Sequence, residues 1–370
     1  MFIFEVVFYS FIAVICIQVI FYGFIFGKFA AFKPKKVSNS IQPVSVIICA
    51  KNEETNLTKN LPFVISQSYP SFEIVLINDN STDNTLKVME AFKKDNDHIK
   101  IVNVEPVEKF WGNKKYALTL GIKAAKHNIL LFTDADCKPM SKHWISEMSA
   151  RFDSETSIVL GYGSYQKIKG SFLNLLIRFE TFMTAVQYFS YSTIGLPYMG
   201  VGRNLAYKKE LFFEANGFVS HMNIKSGDDD LFVNQMATSK NTSICIARNS
   251  VTESIPKKTF KSWFLQKRRH VSTASHYKLK HKILLSLFYC SQFLFWALAI
   301  VLLSFLYQWE IVLGLVLLRF IIQYTTLYSA STKINEKSLI IYTPLLEFFL
   351  IIIQFFIFIK NLISKPNHWK

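Results

Sequence analysis

The sequence predicts an α/β domain with a mostly parallel sheet, held between membrane helices. Three observations carry this. From Pro43 to Phe132 short apolar runs alternate with segments of helical periodicity, the pattern of a parallel sheet covered by helices on both faces. Each apolar run ends in a polar, acid-rich turn at 50–53, 78–83 and 133–137, so these turns fall along one crevice at the carboxyl ends of the strands. Finally, 51% of the 370 residues are hydrophobic and 35 are Phe, an excess concentrated at the two ends of the chain.

Val6 to Phe26 carries no charge and is long enough to span a bilayer. Its start holds only Glu5, without the basic region of a signal peptide, so it reads as an uncleaved anchor. Ile283–Tyr307, Ile311–Tyr328 and Leu339–Ile359 are further candidate spans. The predicted organisation is therefore an anchor over 1–30, an α/β domain over 31–280 and three hydrophobic membrane segments over 281–370.

The formal charge is +16. Lys28, Lys33, Lys35 and Lys36 follow the first span, and Lys267, Arg268, Arg269, Lys278, Lys280 and Lys282 precede the second. Positive residues flank spans on the cytoplasmic side and attract anionic lipids. This predicts a multi-pass protein of the cytoplasmic membrane with residues 28–282 in the cytoplasm and membrane lipids as partners. Three C-terminal spans would put Lys360, Lys365 and Lys370 outside, against that tendency; a re-entrant or shallow last segment would remove the conflict. No finger, helix-turn-helix or aromatic RNA-binding pattern accompanies the charge, so no nucleic-acid partner is expected. The five cysteines form no C-x-x-C pair, which excludes a zinc or disulfide framework.

Within the domain, Pro43–Ala50 is a strand entering Lys51-Asn-Glu-Glu54. A helix follows to about Gln67, with Pro62 as a candidate kink. Phe72–Ile77 is a second strand, Thr85–Phe92 a helix, Ile99–Val104 a third strand and Lys114–Lys126 a helix. Ile129–Phe132 is a buried strand ending in Thr133-Asp-Ala-Asp136. Residues two apart in a strand face the same way, so Asp134 and Asp136 can aim two carboxylates into one space. Mg²⁺ or Mn²⁺, completed by substrate phosphates, suits such oxygen ligands. No Walker loop or G-x-G-x-x-G follows the first strand. Phe172 to Phe189 repeats apolar residues at helical spacing, so a helix over about 171–190 is expected, interfacial or packed in the core.

Pro43–Glu53, Asn78-Asp-Asn-Ser-Thr-Asp83, Lys114-Lys-Tyr-Ala-Leu118 and Thr133-Asp-Ala-Asp136 resemble, in order, the nucleotide-sugar half of the family 2 glycosyltransferases, which have the GT-A (Rossmann-like) fold. Gly200-Val-Gly-Arg-Asn-Leu-Ala-Tyr207 is similar to the family's glycine-rich acceptor loop, Ser226-Gly-Asp-Asp-Asp-Leu231 to the motif holding its base, and Gln266-Lys-Arg-Arg-His270 to the Q-x-x-R-W motif of its membrane-bound branch. The match covers roughly 42 to 275.

The resemblance implies donor binding by Ala50, Asn52, Glu53, Asp79, Lys114, Asp134 and Asp136, with Asp79 on uracil, Asp136 the direct metal ligand and Asp134 beside it. Lys115 leaves the Lys114 assignment open. It implies Asp228 as base with Asp229 as alternate, and Gly202, Asn204, Gln266, Arg269 and His270 on the acceptor side. Gly227 replaces the usual Glu before the base, and His270 the usual Trp. Trp263 or Trp111 could supply a stacking face, although core packing is the simpler role for either.

The implied activity is inverting, metal-dependent transfer of a hexosyl or N-acetylhexosaminyl group from a nucleotide-sugar, a UDP-sugar, to a lipid-linked or glycan acceptor in cell-envelope polysaccharide or glycolipid synthesis. A processive polysaccharide synthase of the same family is the alternative. A membrane nucleotidyltransferase, or a non-catalytic scaffold or transporter, belongs to other classes.

Arg319 and Glu347 each fall mid-way along a span, where an unpaired charge costs about 2.5–3.5 kcal/mol on insertion scales. They lie ten residues before Ser329 and nine after Ser338, roughly 14–15 Å from the connection at 1.5 Å per residue. The two are expected to pair, with Pro344 kinking the second helix.

Overall fold

A computed structural model describes residues 2–34, 41–105, 114–224 and 226–364. Lys35, Lys36, Trp111, Lys365 and Lys370, named above, lie outside the described residues.

The first hydrophobic stretch is one continuous helix, α1 (Phe2–Val19) and α2 (Phe26–Ala31) joined through a π turn at Ile20–Ile25. The α/β domain begins with β1 (Val44–Ala50), α3 (Glu54–Ile65), β2 (Phe72–Asp79), α4 (Thr85–Lys94), β3 (Ile99–Val104), α5 (Lys114–Ala124) and β4 (Ile129–Asp134). Pro62 sits inside α3 without ending it. Then come β5 (Cys137–Pro139), α6 (Trp144–Ser149), β6 (Ile158–Leu160), β7 (Gly163–Tyr165), α7 (Phe172–Thr193), β8 (Leu205–Lys208), α8 (Lys209–Glu214), α9 (Asp230–Met236), β9 (Thr242–Ile244), β10 (Thr252–Ser254) and α10 (Phe260–Thr273). The last helices are α11 (Leu279–Ser304), α12 (Trp309–Lys333) and α13 (Thr343–Ile363).

The main sheet runs β3-β2-β1-β4-β8-β6-β9. β1 to β4 are mutually parallel, and β8 is antiparallel to both β4 and β6. β1 and β4 are neighbours separated by two other strands in sequence, so the order reverses beside β1, where such sheets open a crevice. Alternation along β1 sends Val44, Val46, Ile48 and Ala50 into one core with Leu57, Leu61 and Trp144, and Ile47 into the other with Ala117 and Ile122. This second core continues into Phe21, Phe26, Phe288 and Leu346 of the apolar helices. The sheet and the helices thus share one hydrophobic body.

α7 carries out the join. Leu176, Phe179, Phe182, Val186 and Phe189 are buried, and so are Arg178 and Glu180 from its other sides. It packs on α2, α13, β7 and β9, so its apolar stripe is covered by protein. Arg178 pairs with Glu336, in the connection after α12, and donates to Ser338 Oγ at 3.1 Å.

Among the described residues, four helices are long and apolar enough to cross a membrane: Phe2–Ala31, Leu279–Ser304, Trp309–Lys333 and Lys337–Ile363. Arg319 and Glu347 do pair inside this bundle: Arg319 Nη1 is 2.9 Å from Glu347 Oε2, and Nη2 contacts Oε1. Gln18, Tyr22, Gln292 and Gln323 complete the cluster. Pro344 does not kink α13. It occupies the first turn, where its missing N–H costs nothing.

Candidate active site

The three strand ends meet as the topology requires. β1 leads to Lys51 and Glu53, β2 to Asp79, and β4 to Asp134 and Asp136; all five line a cavity of about 450 Å³. On its other side lie Asp228–Asp230 at the start of α9 and Gln266, Arg269 and His270 of α10. The cavity continues between α7, α11 and α13, past Phe288 and Leu350 to Gln354 and Phe358.

Lys114 is the centre of the charge arrangement. Its Nζ stands 3.1 Å from Asp134 Oδ1 and 2.9 Å from Asp228 Oδ2, bridging the carboxylates at the end of β4 and before α9. Its neighbour Lys115 turns away and donates to the carbonyls of His221 and Ile224 at 2.7 and 2.9 Å.

The three consecutive acids divide. Burial alone would raise Asp228, but the Lys114 ammonium more than offsets it and holds the carboxyl below its usual range. Asp229 is shifted the other way. Burial, then the charges of Asp228 and Asp230, push it up to about 7. It caps α9, accepting from Asp230 N at 2.8 Å and Gly202 N at 2.6 Å. Asp230, raised first by burial, accepts from Thr273 Oγ1 and from Tyr277 Oη, the latter at 2.6 Å, tying α9 to α10. All three line the cavity, but Asp228 is the one paired with a cation, while its two neighbours hold backbone and helix.

Gly227 has φ +92°, and a Cβ there would sit 2.5 Å from Leu231 Cδ1. A glutamate before Asp228 is incompatible with this backbone, which accounts for the departure from the family pattern. Gly163 has ordinary backbone, but a Cβ there would meet the Arg203 side chain, with Nε at 2.6 Å. Arg203 instead lies over Tyr165, 4.3 Å from the ring centroid, and lines the cavity.

Not every expected residue reaches the cavity. Ala50 is buried at the end of β1. Asn52, at φ 54°, braces the turn after β2: its N–H donates to Ser81 Oγ at 3.0 Å and its Oδ1 accepts from Thr82 N at 2.8 Å. Asn204 is fully buried. It accepts from Trp144 Nε1 at 3.0 Å and donates to the carbonyls of Tyr162 and Ser250, so it is a brace behind Gly202, which does line the wall. Trp263 is core. His270 lines the cavity with its side chain solvent-accessible, and the protein packed around it and then the Lys267 and Arg269 charges lower its pKa.

Arg203, Tyr165, Lys257 and the paired Glu180 and Lys267 also line the cavity, and sequence reasoning passed over them. Arg203 stood inside the quoted glycine-rich loop. The Glu180–Lys267 pair joins two helices and had no local signal.

Ligand atoms of Asp134, Asp136 and Cys137 lie within 4.8 Å of one another. Burial and then Asp136 hold Cys137 as a thiol, and its Sγ lies 2.9 Å from Ser254 Oγ. The two carboxylates are the donors that fit a hard divalent ion.

Residues 45–213 match the sequence model of Glycosyl transferase family 2. A poly-β-1,6-N-acetyl-D-glucosamine synthase of Staphylococcus epidermidis is 34% identical over 102 residues, 28% of this chain and 24% of that protein. Glycosyltransferase AglE of Haloferax volcanii is 31% identical over 111 residues, 30% of this chain and 35% of that protein. The chain thus spans only about a quarter to a third of the length of these relatives. Among solved structures, the mannosyltransferase PcManGT from Pyrobaculum calidifontis, in complex with GDP-Man and Mn²⁺, superposes with a TM-score of 0.60 at 17% identity, over 90% of this chain and 98% of that one. The matched segment, the sheet order and the acid-lined crevice agree: over residues 45–213 the chain matches the family 2 glycosyltransferases, in a domain of GT-A-like fold.

Proposed function

We propose that the protein transfers a sugar, with inversion, from a UDP-sugar to a lipid-linked acceptor at the cytoplasmic face of the cell membrane. The observation that carries this is the continuity of the cavity: the same space is walled by Asp79 and Asp134 at one end and by Leu350, Gln354 and Phe358 of an apolar helix at the other. A water-soluble acceptor has no use for the second limb.

Asp79, buried at the end of β2, accepts from the uracil ring. Asp134 and Asp136 would hold Mg²⁺ or Mn²⁺, which when bound neutralises charge growing on the departing diphosphate. Asp228 takes the proton of the acceptor hydroxyl as that oxygen bonds to the anomeric carbon and the bond from that carbon to the diphosphate breaks. Lys114, in contact with Asp228, keeps that carboxylate ionised and ready to receive the proton. Gln266 and Arg269 orient the acceptor from α10. A carboxylate facing the leaving group across the sugar gives inversion.

The test is nucleotide release by the purified protein with a panel of UDP- and GDP-sugars, Mn²⁺ and a lipid extract. UDP release that needs the lipid fraction is expected. Pyrophosphate release from a nucleoside triphosphate would indicate a nucleotidyltransferase, and products lengthening with time a processive synthase.

A further inference from the structure

Both flanks of α13 are fastened to the catalytic domain. Before it, Glu336 pairs with Arg178 of α7 and accepts from Tyr162 Oη at 3.4 Å. After it, Arg268 of α10 donates to Asn361 Oδ1 at 2.9 Å, Ser364 Oγ at 3.0 Å and Lys360 O at 3.3 Å, and Asn361 returns a bond to Arg268 O at 3.0 Å. Length does not explain this, because 21 residues of helix reach ~31 Å and could span a bilayer. A helix that crosses has its ends on opposite sides, and this one returns to the side it left.

Its path along α11 shows the return. Phe348 meets Trp296 at 5.3 Å, Phe355 meets Phe293 at 5.6 Å, and Phe358 meets Tyr289 at 4.9 Å between ring centroids. As α13 advances, its partner moves back towards Leu279, where α11 joins the catalytic domain. Seven residues of α11, ~10 Å, match ten of α13, ~15 Å, so the helix is steeply inclined. The opposite pole of the bundle is elsewhere: there Phe4 packs on Phe305 and Tyr307 at 5.2 and 5.4 Å.

We infer that α13 is re-entrant: it enters the bilayer from the catalytic side without crossing it, the described chain crosses three times, and Ser364 lies on the same side as the active site. The partner of its outer face is the hydrocarbon of the bilayer. Leu345, Phe349, Phe356, Leu362 and Ile363 are exposed, continuous with the apolar surfaces of α11 and α12. Its inner face, with Glu347, Leu350, Ile351 and Gln354, lines the cavity. α13 is therefore the wall between the catalytic cavity and the bilayer. Lys360 then sits with the other flanking cations on one side, as the positive-inside tendency requires.

The test maps sides without using catalysis. Short protease-cleavable epitope tags are placed between Lys94 and Asp95, at Leu306, and after residue 370 in the otherwise intact chain, one per variant, and sealed membrane vesicles are treated with protease. The tag at 94 defines the catalytic side. The tag after 370 is expected to be cut in the same vesicles as the tag at 94, and the tag at 306 in the opposite ones. A tag after 370 that follows the tag at 306 would overturn the inference. Ser364→Cys, labelled by an impermeant maleimide above the background of the unsubstituted chain, reads the same sidedness without an added segment. Labelling from the catalytic side is expected, and labelling only from the other side would equally overturn the inference.

Discussion

Two of the buried charge clusters, one among the apolar helices and one in the catalytic cavity, differ in how fully their carboxylates are hydrogen-bonded. In the first, Glu347 Oε1 accepts from Tyr22 Oη at 3.2 Å, Gln292 Nε2 at 2.8 Å and Arg319; Oε2 accepts from Arg319 at 2.9 Å and Gln323 at 3.2 Å. The second has three consecutive acids, one lysine bridging Asp228 to Asp134, and a buried Asp79 Oδ2 without a hydrogen bond. Desolvating charge is costly unless partners replace water. The bundle cluster hydrogen-bonds both Glu347 oxygens, leaving Arg319 Nε without a hydrogen bond, and reads as scaffold. The cavity cluster concentrates carboxylates that its own residues compensate only in part, an arrangement suited to holding a divalent cation and a charged ligand.

If that distinction holds, the two clusters break differently. The largest effect is expected from Asp136→Asn, which removes a metal-ligand oxygen from an almost isosteric side chain. Turnover should fall to background while thermal melting and membrane insertion stay unchanged, measured by nucleotide release and by differential scanning of the purified protein. Full activity in EDTA would contradict the metal role.

Asp228→Asn should lower transfer by on the order of 10²–10⁴-fold, the scale of general base catalysis. UDP affinity, read by titration calorimetry, should hardly move. Asp229→Asn should retain most activity, because Asp229 is committed to Gly202 N and Asp230 N. The reverse result would make Asp229 the base.

In the bundle the loss should appear in stability instead. Glu347→Ala leaves Arg319 buried without its carboxylate and should cost about 3–5 kcal/mol, seen as loss of monodisperse protein after detergent extraction. Replacing both, Arg319→Met with Glu347→Leu, should restore most of the yield. An unchanged yield for Glu347→Ala alone would show that the pair is not structural.

The same contrast explains what could be read from the sequence. The cavity's donor wall was legible, because strand periodicity and the polar turns after β1, β2 and β4 are local, and the parallel order brings their ends together. The Arg319–Glu347 pair was legible because a charge inside an apolar run is conspicuous and a short connection fixes its depth. Lys114 as a bridge was not, since Asp228 is distant in sequence and arrives only when α9 folds against β8. Asn204 was misjudged because its motif was visible while its three core partners were not. The three-stranded sheet β5-β10-β7 was missed because strands of three residues carry no period.

The smallest effect concerns the acid cluster's response to pH. Asp229 titrates at about 7 in the folded protein, against ~3.9 for an unperturbed aspartate. A carboxyl raised on folding binds its proton more tightly in the native state, so its contribution to stability is full below the unfolded value and is lost as pH rises through about 7. Asp229→Asn cannot ionise and should flatten this part of the profile. It also keeps one oxygen where two backbone N–H groups were served, a cost of about 1 kcal/mol. About one pH unit above the unfolded value the linkage has already removed about 1.4 kcal/mol, so the variant should melt level with the wild type near pH 5 and, with ~1 kcal/mol worth about 2–4 °C in a domain of this size, several degrees above it by pH 8. Melting curves in one detergent at constant ionic strength, from pH 5 to 8.5, decide it. Parallel profiles would mean that Asp229 is already ionised at pH 5, and that the acid cluster carries its full charge without a proton.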